Sequence, residues 1–287
     1  MKHLIVMLGV MGVSLSPIFV RFSSAPSMVL VFYRVTYATL LLTPYSLWRH
    51  LGEVKALKKR DWMLCILAGV FLGLHFVSYF ESLRRTAIAP AAVLVNTEAI
   101  FVTIGTVLFM KAKLSKQAWF AVLLTFIGSV IVAMADAGSG GGALVGNLLA
   151  LAGAIFGAVY TVLGTACRRG GVSTMVYSSF LYASAALTVL MFLVASGTAP
   201  LGYEPVNFLT TLGMAVCCTI GGHSIYSWGL KFLPASFVAS AKMMEPVFAS
   251  VWALFLFGEK PGILVILGGA VVILGIVIYG RISGEEG

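Results

Sequence analysis

The chain has 287 residues, of which 60% are hydrophobic and 10% charged, with a mean hydropathy of +1.03. A soluble domain carries about 25% charged residues, so too few polar side chains exist here to cover a water-facing surface, and lipid is the outer solvent. The net charge of +9 would suit a nucleic-acid binder, but its distribution along the chain points to membrane orientation instead.

Apolar runs of about 20 residues, each long enough at ~1.5 Å per residue to cross a ~30 Å hydrocarbon core, predict ten spans. They fall at 3–21, 27–48, 62–82, 86–109, 115–135, 144–166, 173–196, 206–230, 234–257 and 261–281. The first run, with Lys2 before it and Ser23-Ser24-Ala25 after it, has the outline of a signal peptide. Because the rest of the chain is equally apolar, it reads as a membrane anchor. Span two carries Arg34 inside the apolar run. Span three carries His75, Ser78, Tyr79 and Ser82, a polar stripe at helical period, and ends on Glu81, Arg84 and Arg85, an interfacial cluster. Span four holds Asn96 and Glu98, which stand about 200° apart on a continuous helix and so need not share a cavity. Spans five and six carry small-residue ladders, Ala121/Thr125/Ser129/Ala133 and Gly153/Gly157/Thr161, that allow close helix contact and speak for packing. Between them lies the flexible segment 137–142. Span eight repeats the polar stripe with Thr219, His223, Tyr226 and Ser227, beside Trp228. Span nine carries Lys242, Glu245 and Pro246, and Gly258-Glu-Lys-Pro261 turns the chain into a glycine-rich last span. The four cysteines, Cys65, Cys167, Cys217 and Cys218, form no CxxC pair and read as packing residues, with no metal site expected.

Charge sets the orientation. With the amino terminus in the cytoplasm, 13 lysines and arginines fall in inner segments, among them Arg49, Lys55, Lys58, Lys59 and Arg60 in one loop and Arg168 and Arg169 in another. Four fall outside: Arg21, Arg84, Arg85 and Lys260. This is a positive-inside bias with both termini inside, and it makes the basic loop an orientation signal with no nucleic-acid partner implied. The halves also repeat at a spacing of 147 residues, which pairs Tyr79 with Tyr226, Leu83 with Leu230, Ala92 with Ala239, Glu98 with Glu245, Phe101 with Phe248, Lys113 with Lys260 and Gly128 with Gly275. Five spans is an odd number, so the second copy enters the bilayer upside down. The expected fold is all-α: ten transmembrane helices in two inverted five-helix repeats, 1–136 and 143–281, joined by 137–142 and followed by a cytoplasmic tail, 282–287. Inverted repeats let a carrier alternate between two openings around one midplane site.

A charge at mid-bilayer costs at least ~2.5–3.5 kcal/mol on insertion scales, so each one needs a reason. Lys242 sits three residues before Glu245, on one helix face and in reach of an ion pair. Pro246 cannot donate to the Lys242 carbonyl, which predicts a broken helix there. Two readings follow: an ion- or substrate-binding feature, or a structural salt bridge holding spans nine and four together. The stripes on spans three and eight either line a water-filled pathway or join helices by hydrogen bonds, and His75 and His223 are candidate proton relays. The cavity expected from these residues is lined by His75, Tyr79, Glu98, His223, Tyr226, Lys242 and Glu245, with Arg34, Ser78, Asn96 and Trp228 as further candidates. No GxxxxGK[ST] loop and no HExxH occur, and the one Gly-Ser-Gly lies in 137–142, so neither ATP hydrolysis nor intramembrane proteolysis has a sequence basis.

The chain resembles the drug/metabolite transporter superfamily, in its form with two EamA-type domains. The first half carries Ala25-Pro-Ser-Met-Val-Leu-Val-Phe-Tyr-Arg34, Tyr79-Phe-Glu-Ser-Leu-Arg-Arg-Thr-Ala-Ile-Ala-Pro-Ala-Ala92 and Glu98-Ala-Ile-Phe101. The second carries Tyr226-Ser-Trp-Gly-Leu-Lys-Phe-Leu-Pro-Ala-Ser236, Met244-Glu-Pro-Val-Phe248 and Gly258-Glu-Lys-Pro261. In the first half Ala99 stands in place of the proline and Ala112 in place of the second glutamate. The resemblance covers residues 5–280 and implies a ten-helix carrier whose central cavity is lined by spans one to four and six to nine, with spans five and ten supporting from outside. Together these readings lead to an expected secondary transporter of the cytoplasmic membrane, exporting a small metabolite such as an amino acid by alternating access. No cofactor is expected. Its partners would be that small-molecule substrate, the bilayer and a candidate coupling proton, and it would act as a monomer or homodimer. The alternatives are an uncoupled facilitative carrier, a membrane-embedded enzyme, which would gather catalytic residues at one leaflet, and a non-transporting partner protein, which would not need two matched glutamates.

Overall fold

The structure, a computed structural model, describes residues 2–110, 115–137, 141–233, 238, 241–242 and 244–285. Lys111, Ala112, Lys113, Ala239 and residues 138–140 of the 137–142 segment, used in the reading of loops and repeat, lie outside the described residues. Every regular element among the described residues is helical. That follows from the composition, because inside hydrocarbon a helix satisfies its own backbone polar groups and an open strand does not. The side chains turned outward are those that lipid solvates: Phe255, Met191 and Val194 are each more than 70% exposed.

The chain is an all-α membrane protein of ten spans in two five-helix halves. Among the described residues six spans are single helices, Ser27–Arg49, Lys59–Leu83, Lys116–Ala137, Gly141–Arg169, Thr174–Ser196 and Ile263–Glu285. The Thr174–Ser196 helix stops at Gly197 and the helix Glu245–Phe257 at Gly258, both with φ near +66° to +68°, a left-handed cap that glycine takes without steric cost. Three other spans are interrupted. The first is divided into Lys2–Ser14 and Ser16–Arg21, with Pro17 opening the second piece. The fourth is divided into Ile88–Val95 and Glu98–Met110, and the eighth contains a π-helical stretch, Met214–His223, between Pro205–Gly213 and Ser224–Phe232.

Spans five and ten, Lys116–Ala137 and Ile263–Glu285, pack on each other through a contact that repeats itself. A Cβ on Gly128 would lie 2.8 Å from Gly268 O and from Val272 N, and one on Gly275 would lie 2.8 Å from Ala121 O and 2.9 Å from Thr125 N. Gly275, Gly268 and Val272 stand 147 positions after Gly128, Ala121 and Thr125, so each half presents the same surface to the other, as a pseudo-two-fold axis requires. The remaining spans enclose the core. Span three packs between span six and spans two and seven around Leu30, Leu72, Phe76, Tyr177 and Leu181. Span one lies against the π-helical stretch, where Gly12 approaches Cys217 O so closely that a Cβ would stand 2.6 Å from it.

Candidate functional site

Both matched glutamates open a helix at a break in their span. Glu98 is the first residue of Glu98–Met110 and Glu245 the first of Glu245–Phe257. Before each of them the backbone makes a tight turn, in which Thr97 N donates to Leu94 O at 3.1 Å and Met244 N donates to Ala241 O at 3.1 Å. These two bonds are again 147 residues apart. Pro246 accounts for the second break, since it has no N–H to continue a helix. The first break has no proline. There Thr97 Oγ1 donates to Leu94 O at 2.7 Å and Asn96 Nδ2 to Ala92 O at 2.9 Å, side chains occupying carbonyls beside the turn. A break resets the angle between flanking residues. Asn96 and Glu98, placed about 200° apart on a continuous helix, therefore line one cavity after all.

That cavity has a volume of about 20 Å³, room for about one water. Of the residues expected there, His75, Tyr79, Glu98, His223, Tyr226, Lys242 and Glu245 all line it, together with Arg34 and Asn96. Two candidates do not. Ser78 lies off the lining on span three, and Trp228, about 200° around the helix from Tyr226, packs on Phe232 at 5.1 Å.

Charge is arranged differently from the local spacing. Lys242 Nζ donates to Glu98 Oε1 at 2.9 Å, across 144 residues and between the two halves, with both side chains 7% exposed. The expected pair with Glu245, three residues on, does not come within ion-pair distance, and Asn96 is a polar neighbour of Glu245. Thr161 Oγ1 donates to the same Glu98 oxygen at 2.8 Å. Lys242 also reaches Tyr160 Oη at 3.4 Å, and that hydroxyl lies 3.2 Å from His223 Nδ1. His75 Nδ1 lies 2.8 Å from Gly153 O, and the two histidine rings are 6.4 Å apart.

Arg34 is buried against the opposite wall. Its Nε donates to Thr219 Oγ1 at 2.6 Å and its Nη1 to Ser16 Oγ at 2.8 Å, while the guanidinium lies 4.1 Å from the centre of the Phe76 ring, a cation–π contact. Thr219 is available because it belongs to the π-helical stretch, the kind of local distortion that re-aims a side chain at a site.

Tyr160, Thr161 and Ser16 are site residues that the sequence reading missed. The ladder Gly153/Gly157/Thr161, a packing feature by its sequence, also shapes the site. A Cβ on Gly157 would stand 2.7 Å from Glu98 Oε2 and 2.8 Å from His75 Nδ1, so the absent side chain is the space those two groups occupy. Arg168, counted with the inner orientation charges, is 1% exposed; its Nε donates to Ser227 O at 3.0 Å and its Nη2 to Thr174 Oγ1 at 2.6 Å, and Nη1 reaches Val172 O. The opposite end of the bundle is fastened by Glu259, whose carboxylate accepts from Ile88 N at 3.2 Å and pairs with Arg21 at 3.3 Å. Arg84 donates there to Ser27 Oγ at 3.1 Å and to Ala25 O, and Arg85 pairs with Glu81 at 2.7 Å. Cys65 and Cys167 are buried packing residues whose thiols meet at 3.5 Å.

The sequence pattern of the EamA-like transporter family matches residues 1–134 and 144–281. The chain belongs to the EamA-like transporter family. Similar proteins include an uncharacterized transporter of Archaeoglobus fulgidus, 26% identical over 87% of this chain and 86% of its own length. The pseudopaline exporter CntI of Pseudomonas aeruginosa is 24% identical over 90% of this chain and 88% of its own. A solved crystal structure shares the fold with a TM-score of 0.69 at 18% identity, covering 99% of this chain and 98% of that one. The EamA-like chain is thus a multi-pass membrane transporter. Its cavity, supplied by both family repeats, gathers four of the buried charges among the described residues, Arg34, Glu98, Lys242 and Glu245.

Proposed function

We propose that the protein is a secondary transporter that exports a small polar or amphipathic metabolite, an amino acid or related compound being the first candidate, by alternating access around the cavity that holds Glu98, Lys242, Arg34 and Glu245. The observation that carries this reading is the Glu98–Lys242 ion pair. It joins the two halves at mid-span, beside a helix break in each, and closes a cavity too small for any metabolite. Separating the halves separates the pair, so one set of side chains belongs to the closed form and becomes available when either side opens. Breaks at this depth are tolerated only where the backbone is buried in protein or lines a cavity.

Export from the cytoplasm across the inner membrane is supported by the name exporter borne by the Pseudomonas relative, and the placing of both termini inside by the bias of 13 inner against four outer basic residues. A proton is the candidate coupling ion, because His75, His223 and two carboxylates share the cavity. No enzymatic role is proposed, and the chain works as a monomer or homodimer. Purified protein in proteoliposomes loaded with mixed amino acids and related metabolites tests the reading. The expected result is counterflow of at least one labelled compound that depends on Glu98 and Lys242. Liposomes that exchange nothing across such a mixture would overturn it.

A further inference from the structure

A second, larger hollow lies outside the central cavity. It has a volume of about 730 Å³ and runs between the helix Glu98–Met110 of span four and the helix Gly141–Arg169 of span six. Its walls are apolar, Phe101 and Leu108 on one side and Ile155 and Val162 on the other, with Leu108 69% and Ile155 44% exposed. One end is different. There Arg60 and Arg169 enter the lining together, and no aspartate or glutamate does among the described residues. Neither arginine has a carboxylate at ion-pair distance among those residues. Asp61, next to Arg60, accepts instead from Lys58 N at 3.1 Å and caps its own helix.

Residue choice confines the hollow to one half. At a spacing of 147 residues the second half has Trp252 for Gly105 and Asn207 for Arg60, while Phe22 of span one answers to Arg169. Arg21 and Arg168, one position earlier, also match at this spacing, so the register holds at that end of the span. Trp252 Nε1 donates to Ser14 Oγ at 3.3 Å, and Phe22 packs on Phe257 with ring centres 5.2 Å apart. Asn207 Oδ1 accepts from Ser24 N and Ala25 N, at 2.9 Å each. All three tie span one, or the turn after it, to spans eight and nine. In the first half Gly105 offers no side chain to fill the gap, and a Cβ there would lie 3.1 Å from Val162 Cγ2. One interface is thus fastened and its counterpart left open, with two unpaired guanidinium groups at its mouth.

We infer that this groove holds an anionic phospholipid, its phosphate between Arg60 and Arg169 and an acyl chain laid between spans four and six. Charge and length both select it. Ile155 and Ala166, which line the groove eleven positions apart, are separated by ~16 Å along a helix, about half of a ~30 Å hydrocarbon core. The apolar walls therefore cover one leaflet, and the arginines stand where its headgroups begin. Guanidinium groups match phosphate oxygens in a bidentate fork, and basic pockets between transmembrane helices take anionic headgroups. A lipid with a zwitterionic headgroup would bring the two arginines no net counter-charge, and a soluble phosphate would leave the apolar walls unfilled. The lipid would pack on the helix whose first residue, Glu98, holds Lys242.

The test is native mass spectrometry of the full chain, released from mixed micelles with equal amounts of dioleoyl phosphatidylglycerol and dioleoyl phosphatidylcholine. Phosphatidylglycerol should stay bound at least ten-fold more abundantly than phosphatidylcholine, one molecule per chain. Both arginines are exposed, so Arg60→Gln combined with Arg169→Gln should fold normally and lose that preference. Lys55→Gln combined with Lys58→Gln removes equal charge outside the groove and should keep it. Gly105→Trp, which gives the first half the residue of the second, should exclude both lipids; if its melting curve shows that it does not fold, the paired arginine changes decide alone. Equal retention of the two lipids, or a preference that survives the arginine changes, overturns the inference. Displacement of the lipid by glycerol phosphate at equal concentration would make this a soluble-anion site and overturn it too. So would a lipid-free dimer that Gly105→Trp dissociates, because the groove would then belong to a second copy of the chain.

Discussion

One oxygen of Glu98 accepts from both Lys242 and Thr161, so this carboxylate, and not Glu245, is the counter-charge that Lys242 depends on. Removing one partner of a buried pair leaves a bare charge and costs ~3–5 kcal/mol, whereas replacing both by apolar groups of similar size is often neutral. Glu98→Gln should therefore melt well below the unaltered protein, and Glu98→Leu with Lys242→Met should recover most of the loss. A Glu98→Gln protein with an unchanged melting curve would show that the pair carries no stability. Glu245→Gln is expected to fold normally, because Glu245 has no paired cation to orphan among the described residues, and to lose cargo affinity. At this scale the charges were legible in the sequence, since Arg34, Glu98, Lys242 and Glu245 interrupt apolar runs. Their pairing was not: Lys242 lies three residues from Glu245 and 144 from Glu98, and the pair forms across the two halves with the residue more distant in sequence, which no local spacing rule contains. Tyr160 was hidden for a different reason, since an aromatic residue in an apolar span carries no signal until its hydroxyl has a neighbour.

Helix breaks and glycine approaches place these groups. The break before Glu245 was legible because Pro246 removes a donor; the one before Glu98 was not, because Asn96 and Thr97 end the helix through their own side chains, as these residues do only in some settings. The ladder on span six shows how a packing feature becomes a site feature. Gly157→Ala would gain up to ~1 kcal/mol of helix propensity, yet its methyl would stand 2.7 Å from Glu98 Oε2 and 2.8 Å from His75 Nδ1. Something must move, and the carboxylate is held by Lys242 and Thr161 while the imidazole is held by Gly153. The expected outcome is a folded protein whose counterflow falls at least ten-fold. A Gly157→Ala protein with undiminished counterflow would place Glu98 and His75 outside the transport step. At Gly52, where a Cβ meets nothing within 4 Å, the same substitution should leave transport unaltered, which separates the site effect from a general one.

For the whole molecule, the repeat was legible as seven identities at one spacing, and the structure adds physical equivalents to them: two backbone turns, the unpartnered hydroxyls of Tyr79 and Tyr226 and a self-matching contact between spans five and ten. That contact should make Gly128→Leu and Gly275→Leu alike in effect, because each drives a side chain into backbone that stands 2.8 Å from a Cβ. Both are expected to lower the melting temperature by similar amounts, and a large effect of one with none of the other would break the equivalence. The equivalence has a topological consequence. Two halves related by an axis in the membrane plane present corresponding loops to opposite sides, and five spans in the first half put the start of the second on the far side from the start of the first. Thus the basic segment containing Lys58, with the amino terminus, should face the cytoplasm, and Gly140, after the fifth span, should face outside. Single cysteines introduced at Lys58 and Gly140 into a cysteine-free background, labelled from outside intact cells with an impermeant maleimide, decide it. Reaction at position 140 alone is expected. Reaction at position 58, or at neither, would reverse or destroy the inverted arrangement, and with it the alternation of one shared cavity between two openings.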